Sequence, residues 1–274
     1  MCISFILFAT VNKIKKYHFI VTSSDKTEHI AAALRKLAHT VTTSGEPDKS
    51  CDGVIISMHV NKSNPELQKA QQLGLKIYTV PEFIYEFARN KQRIVVVGTS
   101  GRTEIASIIL HVLKTLNRKV DYVLSYDQPN SISLSDAPVI VIKGSANRSS
   151  ALYHTPQFIH YKHHIGVMAE VEYDPKGTIS ENDFIRAFDL FADGTPKGGI
   201  LIYWEQDKIA SVISNKERAD VLYVPYKAHP KEKVPAVFAD KKALLNLSAA
   251  FETLKKIGVT PEQFYQGIAS YERP

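Results

Sequence analysis

A glycine-containing stretch in the middle of the chain has the residue types of an anion-binding loop. Residues 95–104 are Val-Val-Val-Gly-Thr-Ser-Gly-Arg-Thr-Glu, so an apolar run turns through two glycines into a segment with helical periodicity. Such a strand-to-helix turn points backbone N–H groups and the positive end of the helix dipole at one position, where a phosphate is stabilised. The loop predicts nucleotide or phosphate binding, and a tight turn with a purely structural role fits it equally well. The candidate nucleotide-binding residues are Gly98, Thr99, Ser100, Gly101, Arg102 and Thr103.

Two residues of this loop depart from a working phosphate loop. ATPases of this type use a lysine for the β- and γ-phosphates, together with a Ser or Thr hydroxyl for Mg²⁺. Arg102 occupies the lysine position, and its planar guanidinium is longer than a compact ammonium. Glu104 adds a carboxylate to the first turn of the helix, where the helix dipole favours it. That carboxylate could cap the free N–H groups itself and compete with a phosphate.

Histidine and cysteine residues do not predict a metal centre. Neighbouring residues on an extended chain point to opposite faces, and no cysteine or carboxylate stands at metal-ligand spacing from the clustered histidines. These histidines are His154, His160, His163 and His164. The two cysteines, Cys2 and Cys51, exclude a disulfide framework and favour a reducing compartment, so we expect a cytoplasmic protein.

The charge balance permits anionic partners without selecting one. The 274 residues include 34 Lys and Arg against 28 Asp and Glu, a net charge of +6. The basic residues are scattered, and Trp204 lacks the interleaved cations of a nucleic-acid stacking platform, so no nucleic-acid partner is expected. The apolar run at residues 2–11 is too short to span a bilayer, and its lysines follow rather than precede it, so no membrane association is expected either.

The hydrophobic pattern predicts an α/β fold that positions the glycine loop at a strand end. Short apolar runs bounded by turn residues alternate with segments of helical period, as in βαβ units around a parallel sheet. The run at residues 93–98 is apolar enough to be buried on both faces and begins a new unit, which places a domain boundary near residue 91. Strands are predicted at 17–21, 52–57, 76–79, 93–98, 122–125, 138–142, 164–168, 199–203 and 221–224. Helices are predicted at 26–37, 64–74, 81–90, 103–116, 181–191, 241–257 and 261–270.

Several segments in this order resemble the Mur ligases of peptidoglycan synthesis, particularly the murein peptide ligases and the UDP-N-acetylmuramate–alanine ligases. The resemblance covers about residues 17–274 and is collinear. It rests on the segments at 52–59, 64–67, 73–78, 81–83, 98–103, 158–161, 172–174, 184–191 and 198–203. It implies a Rossmann-like N-terminal domain for a UDP-sugar at 1–91 and a P-loop-type central ATPase domain with a mainly parallel sheet at 92–274. It also implies that the C-terminal ligase domain of the family is absent.

The same resemblance implies that several functional parts have been lost. The glycine-rich turn that approaches the UDP is replaced by residues 21–26, which contain no glycine. The acidic segment that binds Mg²⁺ aligns with residues 143–148, which carry Lys143 and Arg148. The family's Asp-His pair is Asp174-Pro175, and its His-Asn-rich loop leaves Asn246. Asn64, Glu172, Asp174 and Asn246 are candidate remnants of the site, with no catalytic residue and no metal ligand predicted.

These losses favour a catalytically inactive pseudoenzyme that acts by binding a nucleotide, a UDP-sugar or a protein such as an intact Mur ligase. The family uses Mg-ATP, and the substitutions argue against its retention here. The alternative is an active ATP-dependent UDP-N-acetylmuramate or peptide ligase that a separate chain completes. The sequence alone does not distinguish the ligand, the partner or the oligomeric state.

Overall fold

The chain forms two mainly parallel sheets covered by helices. The computed structural model describes residues 14–22, 27–177, 179–214, 216 and 218–273. The apolar run at 2–11 and most of the glycine-free turn at 21–26 lie outside the described residues. The strands are β1 (Lys16–Ile20), β2 (Thr40–Thr42), β3 (Gly53–Ile56), β4 (Ile77–Thr79), β5 (Gln92–Val97), β6 (Asp121–Val123), β7 (Ile132–Ser133), β8 (Val139–Lys143), β9 (Ile165–Met168), β10 (Ile200–Trp204) and β11 (Leu222–Tyr226).

The helices mostly begin at side-chain caps that the sequence contains. The helices are α1 (Glu28–Lys36), α2 (Pro65–Gln72), α3 (Val80–Phe87), α4 (Arg102–Thr115), α5 (Gln157–His160), α6 (Glu181–Asp193), α7 (Lys208–Ser214), α8 (Lys241–Lys255) and α9 (Pro261–Ile268). Thr79 and Thr260 form capping boxes with the residues three positions later. Ser180 and Asp240 accept from the third backbone N–H of α6 and α8. In the described part of the chain, no helix is long and apolar enough to cross a membrane.

The first sheet contains four parallel strands in the order β2-β1-β3-β4. Its two central strands are almost fully buried, because helices cover both faces. Phe19 and Ile55 pack with Ile30 of α1 and Ile84 of α3, and all four side chains are buried.

The second sheet contains seven strands in the order β11-β10-β9-β5-β8-β6-β7, with only the β6–β7 pair antiparallel. The chain fills the β8 side of β5 first and then crosses to β9 on the other side. The carboxyl end of β5, where the glycine loop begins, is therefore the position at which the strand order reverses. Ligands of open α/β sheets bind at such positions. The fold class predicted from the sequence is confirmed, and the division near residue 91, which lies between β4 and β5, stays a prediction.

The predicted long elements lie within a few residues of the observed ones, and in the described part of the chain two strands, two α-helices and the 3₁₀ turn Lys231–Lys233 were not predicted. β2 has three residues and β7 has two, while α5 has four and α7 has seven. Segments of this length carry too few residues to display a period of 2 or 3.6, and their conformation depends on tertiary packing.

Candidate functional site

The glycine loop has a backbone conformation that only glycine adopts readily. Gly98 has φ +139° and Gly101 has φ +82°, and Gly101 is the residue that precedes α4. A Cβ at position 98 would lie 2.8 Å from the carbonyl oxygen of Glu170, and a Cβ at position 101 would overlap the Asn246 side chain. Gly101 has no side chain to cap α4, so the first N–H groups of the helix lack the cap that an N-cap side chain usually supplies.

Part of the loop backbone is held by the segment that follows β9. The Thr99 N–H donates to the Glu170 carbonyl at 2.7 Å, and the Thr99 hydroxyl donates to the same oxygen at 3.0 Å. The Glu172 N–H in turn donates to Thr99 Oγ1 at 3.0 Å. Ser100 and Glu170 form an isolated antiparallel bridge. These contacts fix Thr99 and Ser100 against the protein, which leaves the α4 end of the loop for a ligand.

Two cations stand side by side where the loop meets β8. The Arg102 guanidinium donates to the carbonyl oxygen of Gly144, and the Lys143 ammonium lies 3.4 Å from the Thr103 hydroxyl. Burial lowers the pKa of Arg102. Burial and, after it, the neighbouring Arg102 charge lower the pKa of Lys143. A second positive charge close to a half-buried ammonium is unfavourable, and an anion between the two would relieve this repulsion.

Glu104, Asn246 and Arg273 form a hydrogen-bonded clamp that holds the Glu104 carboxylate. Its carboxylate accepts from Asn246 Nδ2 at 2.6 Å and from Arg273 Nε at 2.6 Å. Arg273 also contacts Asp240 at 3.3 Å. The expectation that Glu104 caps the N–H groups of its own helix is therefore wrong, because its charge is compensated by residues distant in sequence.

A cleft of about 330 Å³ lies between the two sheets and reaches Arg102 and Lys143. The cleft is lined by residues at the carboxyl ends of β3, β6 and β8, with polar groups from both sheets. The polar lining residues are Thr27, Ser57, His59, Arg102, Ser125, Tyr126, Asp127, Lys143, Ser145, Asn147 and Gln157. Among these described lining residues, Asp127 is the one carboxylate. The cleft therefore offers hydroxyl, amide and cationic groups to a ligand that is polar and negatively charged.

A second cavity of about 290 Å³ lies directly above the loop. It is lined by residues 99–104 together with Lys242 and Asn246. Lys242 is paired with Glu170 at 3.0 Å, and Glu104 is held by its clamp. Lys242 and Glu104 in the walls of this cavity are already paired with other charged residues, so the cavity is less suited than the cleft to an additional anion.

The structure brings some of the candidate remnants to the loop and leaves others elsewhere. Asn246 contacts the loop through Glu104, and Glu172 contacts it through its backbone. Asn64 caps α2 by accepting from the Leu67 N–H at 3.0 Å. Asp174 accepts from the Lys176 N–H in a surface turn. Neither Asn64 nor Asp174 lines the two cavities just described.

Of the clustered histidines, His163 belongs to the core, His160 and His164 are half-buried, and His154 is exposed. His163 is buried, bonded to the Thr195 hydroxyl at 2.9 Å, and stacked on Phe191. Burial is the main cause that lowers the pKa of His163 to about 3, which keeps the imidazole neutral. No group of three or more His, Cys, Asp or Glu side chains in the described part of the chain is arranged to hold a metal ion.

Sequence reasoning missed Arg273 and the residues of the cleft wall. Arg273 is separated from Glu104 by 169 positions, and no local pattern connects them. The residues at 57–59 and 123–127 follow strands, so the strand ends were the one signal that could have indicated them.

The sequence is similar to those of known ligases. The UDP-N-acetylmuramate–L-alanine ligase of Clostridium tetani is 28% identical over 178 residues, which cover 64% of this chain and 38% of the relative. The corresponding ligase of Caldicellulosiruptor saccharolyticus is 25% identical over 77% of this chain and 46% of its own length. The chain is a relative of the Mur ligases. No protein-family model matches it.

Solved structures of Mur ligases have the same fold. The UDP-N-acetylmuramate:L-alanyl-γ-D-glutamyl-meso-diaminopimelate ligase from Neisseria meningitides superposes with a TM-score of 0.78 at 14% identity, over 96% of this chain and 99% of that one. The UDP-N-acetylmuramate–alanine ligase from Thermotoga maritima superposes with a TM-score of 0.61 at 16% identity, over 93% and 68%. This Mur ligase relative spans 35% to 54% of the length of the curated relatives that it matches.

Mg²⁺ does not fit the residues that this relative places beside the loop. Mg²⁺ takes oxygen ligands, chiefly one or two carboxylates with water and substrate phosphates. Lys143 and Arg148 occupy the segment where the Mur ligase resemblance implies acidic residues, and Lys143 lies beside Arg102. An ammonium and a guanidinium repel a divalent cation, so this segment is unsuited to hold Mg²⁺.

Proposed function

We propose that this Mur ligase relative is a non-catalytic binding protein that holds an anionic ligand in the cleft between its two sheets without Mg²⁺. The observation that carries the proposal is the adjacent pair Arg102 and Lys143 at the cleft wall. Neither half-buried cation is paired with a carboxylate of the residues that the structure describes, so the two supply the charge compensation that a phosphate otherwise takes from a metal. A pseudoenzyme is the functional class that these substitutions support best.

The polar and cationic lining of the cleft and the substrate named for the curated relatives together indicate the class of ligand. The curated relatives are named for UDP-N-acetylmuramate. A UDP-sugar has two phosphates for the cations and many hydroxyl groups for the polar walls of the cleft. We therefore propose a UDP-sugar such as UDP-N-acetylmuramate as the ligand, with a simple nucleotide as the second choice.

Calorimetric titration of the full chain with UDP-N-acetylmuramate and with ADP tests the proposal. Each titration is run once in EDTA and once in MgCl₂, at the same ionic strength. We expect saturable binding of at least one ligand that is no weaker in EDTA. Arg102→Ala and Lys143→Ala are each expected to raise Kd about tenfold or more, the loss of a hydrogen bond to a charged group.

Lys119→Ala is the matched control, because Lys119 is an exposed cation that pairs with Asp136 at the surface and lines neither cavity. It removes the same charge from the whole molecule and should leave Kd unchanged. Binding that requires Mg²⁺, or that is unaffected in both Arg102→Ala and Lys143→Ala, would reject the proposal.

The alternative is an active ATP-dependent ligase that a second chain completes. The specific observation in its favour is the loop itself, which keeps both positive-φ glycines and the Thr103 hydroxyl. This alternative predicts phosphate release from ATP in MgCl₂ in the presence of UDP-N-acetylmuramate, L-alanine and a second protein. The second protein is a full-length Mur ligase whose own phosphate loop has been inactivated by mutation. Turnover that disappears in Arg102→Ala would establish it and overturn the pseudoenzyme proposal.

A further inference from the structure

A groove separate from the anion-binding cations runs between α6 and the loop that follows β8. Its volume is about 700 Å³, against about 330 Å³ for the cleft. One wall is the loop around Asn147, Arg148 and Pro156, and the other is the exposed face of α6. A volume of this size lies within the range of sites that hold small organic ligands or short peptide segments.

The α6 wall is an apolar stripe at helical spacing. Phe184, Ala187 and Leu190 are three positions apart and line the groove together. Leu190 keeps 43% of its surface exposed, and Ile179, which also lines the groove, keeps 46%. Large apolar side chains left this exposed next to one another mark an interaction surface.

The cations at the rim of the groove lack acidic partners. Arg148 and Arg186 line the groove and are exposed, and neither forms an ion pair with any residue that the structure describes. Of the acidic residues of α6, Asp183 lines the groove and is the one carboxylate among its described lining residues, whereas Glu181, Asp189 and Asp193 do not line it. Asp183 accepts from the Ser180 hydroxyl at 2.7 Å, and Asp189 and Asp193 both contact Lys216. The groove therefore combines an apolar wall with two arginines against one carboxylate, which leaves its described lining a net positive charge.

We propose that this groove binds a short acidic segment of a partner protein, with a large apolar side chain against Leu190 and carboxylates on Arg148 and Arg186. Carboxylate pairs with arginine bidentately, which fixes the orientation of the segment. A peptide fits better than a fatty acid because much of the lining is exposed to solvent, where an acyl chain would stay half-hydrated. The Asn147 carboxamide has both donors and an acceptor for a peptide backbone. The inference does not depend on the proposed UDP-sugar site.

Selection from a random seven-residue display library against the full chain tests the proposal. We expect enriched peptides that contain at least two acidic residues and one large apolar residue. A fluorescein-labelled synthetic copy of the most enriched peptide is then measured by fluorescence anisotropy. Its Kd should rise about tenfold or more in Arg148→Ala/Arg186→Ala and in Leu190→Asp, and it should rise with salt.

Two controls and one rescue separate this site from general surface effects. Lys119→Ala and Leu222→Ser alter an exposed cation and a 50%-exposed leucine outside the groove, and both should leave Kd unchanged. Arg148→Glu/Arg186→Glu should reject the acidic peptide and bind its lysine-substituted counterpart. Arg102→Ala should weaken UDP-N-acetylmuramate binding and leave peptide binding unchanged, so the two proposals fail separately.

The proposal is overturned if no peptide is enriched, if the enriched peptides lack acidic residues, or if the groove variants bind as tightly as the wild type. It is equally overturned if oleate, and no peptide, binds in a way that Leu190→Asp abolishes, because the occupant would then be a lipid. Thermal midpoints of all variants within about 2 °C of the wild type exclude misfolding as the cause of lost binding.

Discussion

Glu104 illustrates how one residue of the loop acquires a role that its position in the sequence does not disclose. A carboxylate in the first turn of a helix is favoured by the dipole, and here it also joins Asn246 to Arg273. Its side chain is 16% exposed, so its hydrogen bonds are partly shielded from water. The residue that departs most from a phosphate loop thus stabilises the segments around the loop.

Replacing Glu104 with alanine should lower the free energy of unfolding by about 1–3 kcal/mol, because Asn246 and Arg273 lose their shared acceptor. The measurement is urea denaturation at neutral pH. Glu172→Ala is the control, since Glu172 is exposed and contacts the loop through its backbone N–H. Equal stabilities of the two variants would show that the clamp contributes nothing measurable.

At the scale of elements, the junction of β5 and α4 depends on the close approach of α8. Gly101 ends the loop in the left-handed region, and the space that a Cβ would need is occupied by Asn246 of α8. The α4 helix is held from the other side by α9 and by the buried strands of the second sheet. The loop conformation therefore depends on the packing of α8, α9 and the second sheet as well as on the glycines.

Gly101→Ala should cost more stability than Gly258→Ala, although both residues have positive φ. Gly258 has φ +75° and open space where a Cβ would stand, so its substitution carries only the backbone cost. Gly101→Ala adds a clash with Asn246, which raises the cost by about 1–3 kcal/mol. Urea denaturation of the two variants measures the difference, and identical values would mean that the Asn246 side chain moves aside at no cost.

The elements that sequence analysis located best are those that a single physical pattern determines. The all-apolar strand β5 and the proline-started helices α2 and α9 carry their own signals. The glycine loop was located for the same reason. The pairing of Arg102 with Lys143 could not be predicted, because it depends on the register of β5 against β8, which no local pattern specifies.

At the scale of the whole molecule, the two sheets meet at the cleft. The Ala151 N–H of the loop after β8 donates to the Met58 carbonyl after β3 at 2.6 Å. Residues of both sheets therefore line one cavity, and a ligand in it would contact both.

Saturation with UDP-N-acetylmuramate should slow amide hydrogen exchange in both 57–59 and 143–147, since a ligand in the cleft reduces local opening on both sides. Mass spectrometry of peptic fragments measures this protection. Segment 222–226, at the far edge of the second sheet, is the internal control. Protection confined to 98–104 would locate the ligand in the cavity above the loop and contradict binding in the cleft.

The cleft and the α6 groove share a wall, because Met58 and Asn147 line both. A ligand that moves either side chain changes the free energy of binding at the neighbouring site. Such coupling is reciprocal by thermodynamic necessity. Two occupants with no atom in common would then strengthen or weaken each other by the same factor, and Met58 and Asn147 would be the side chains that carry this coupling.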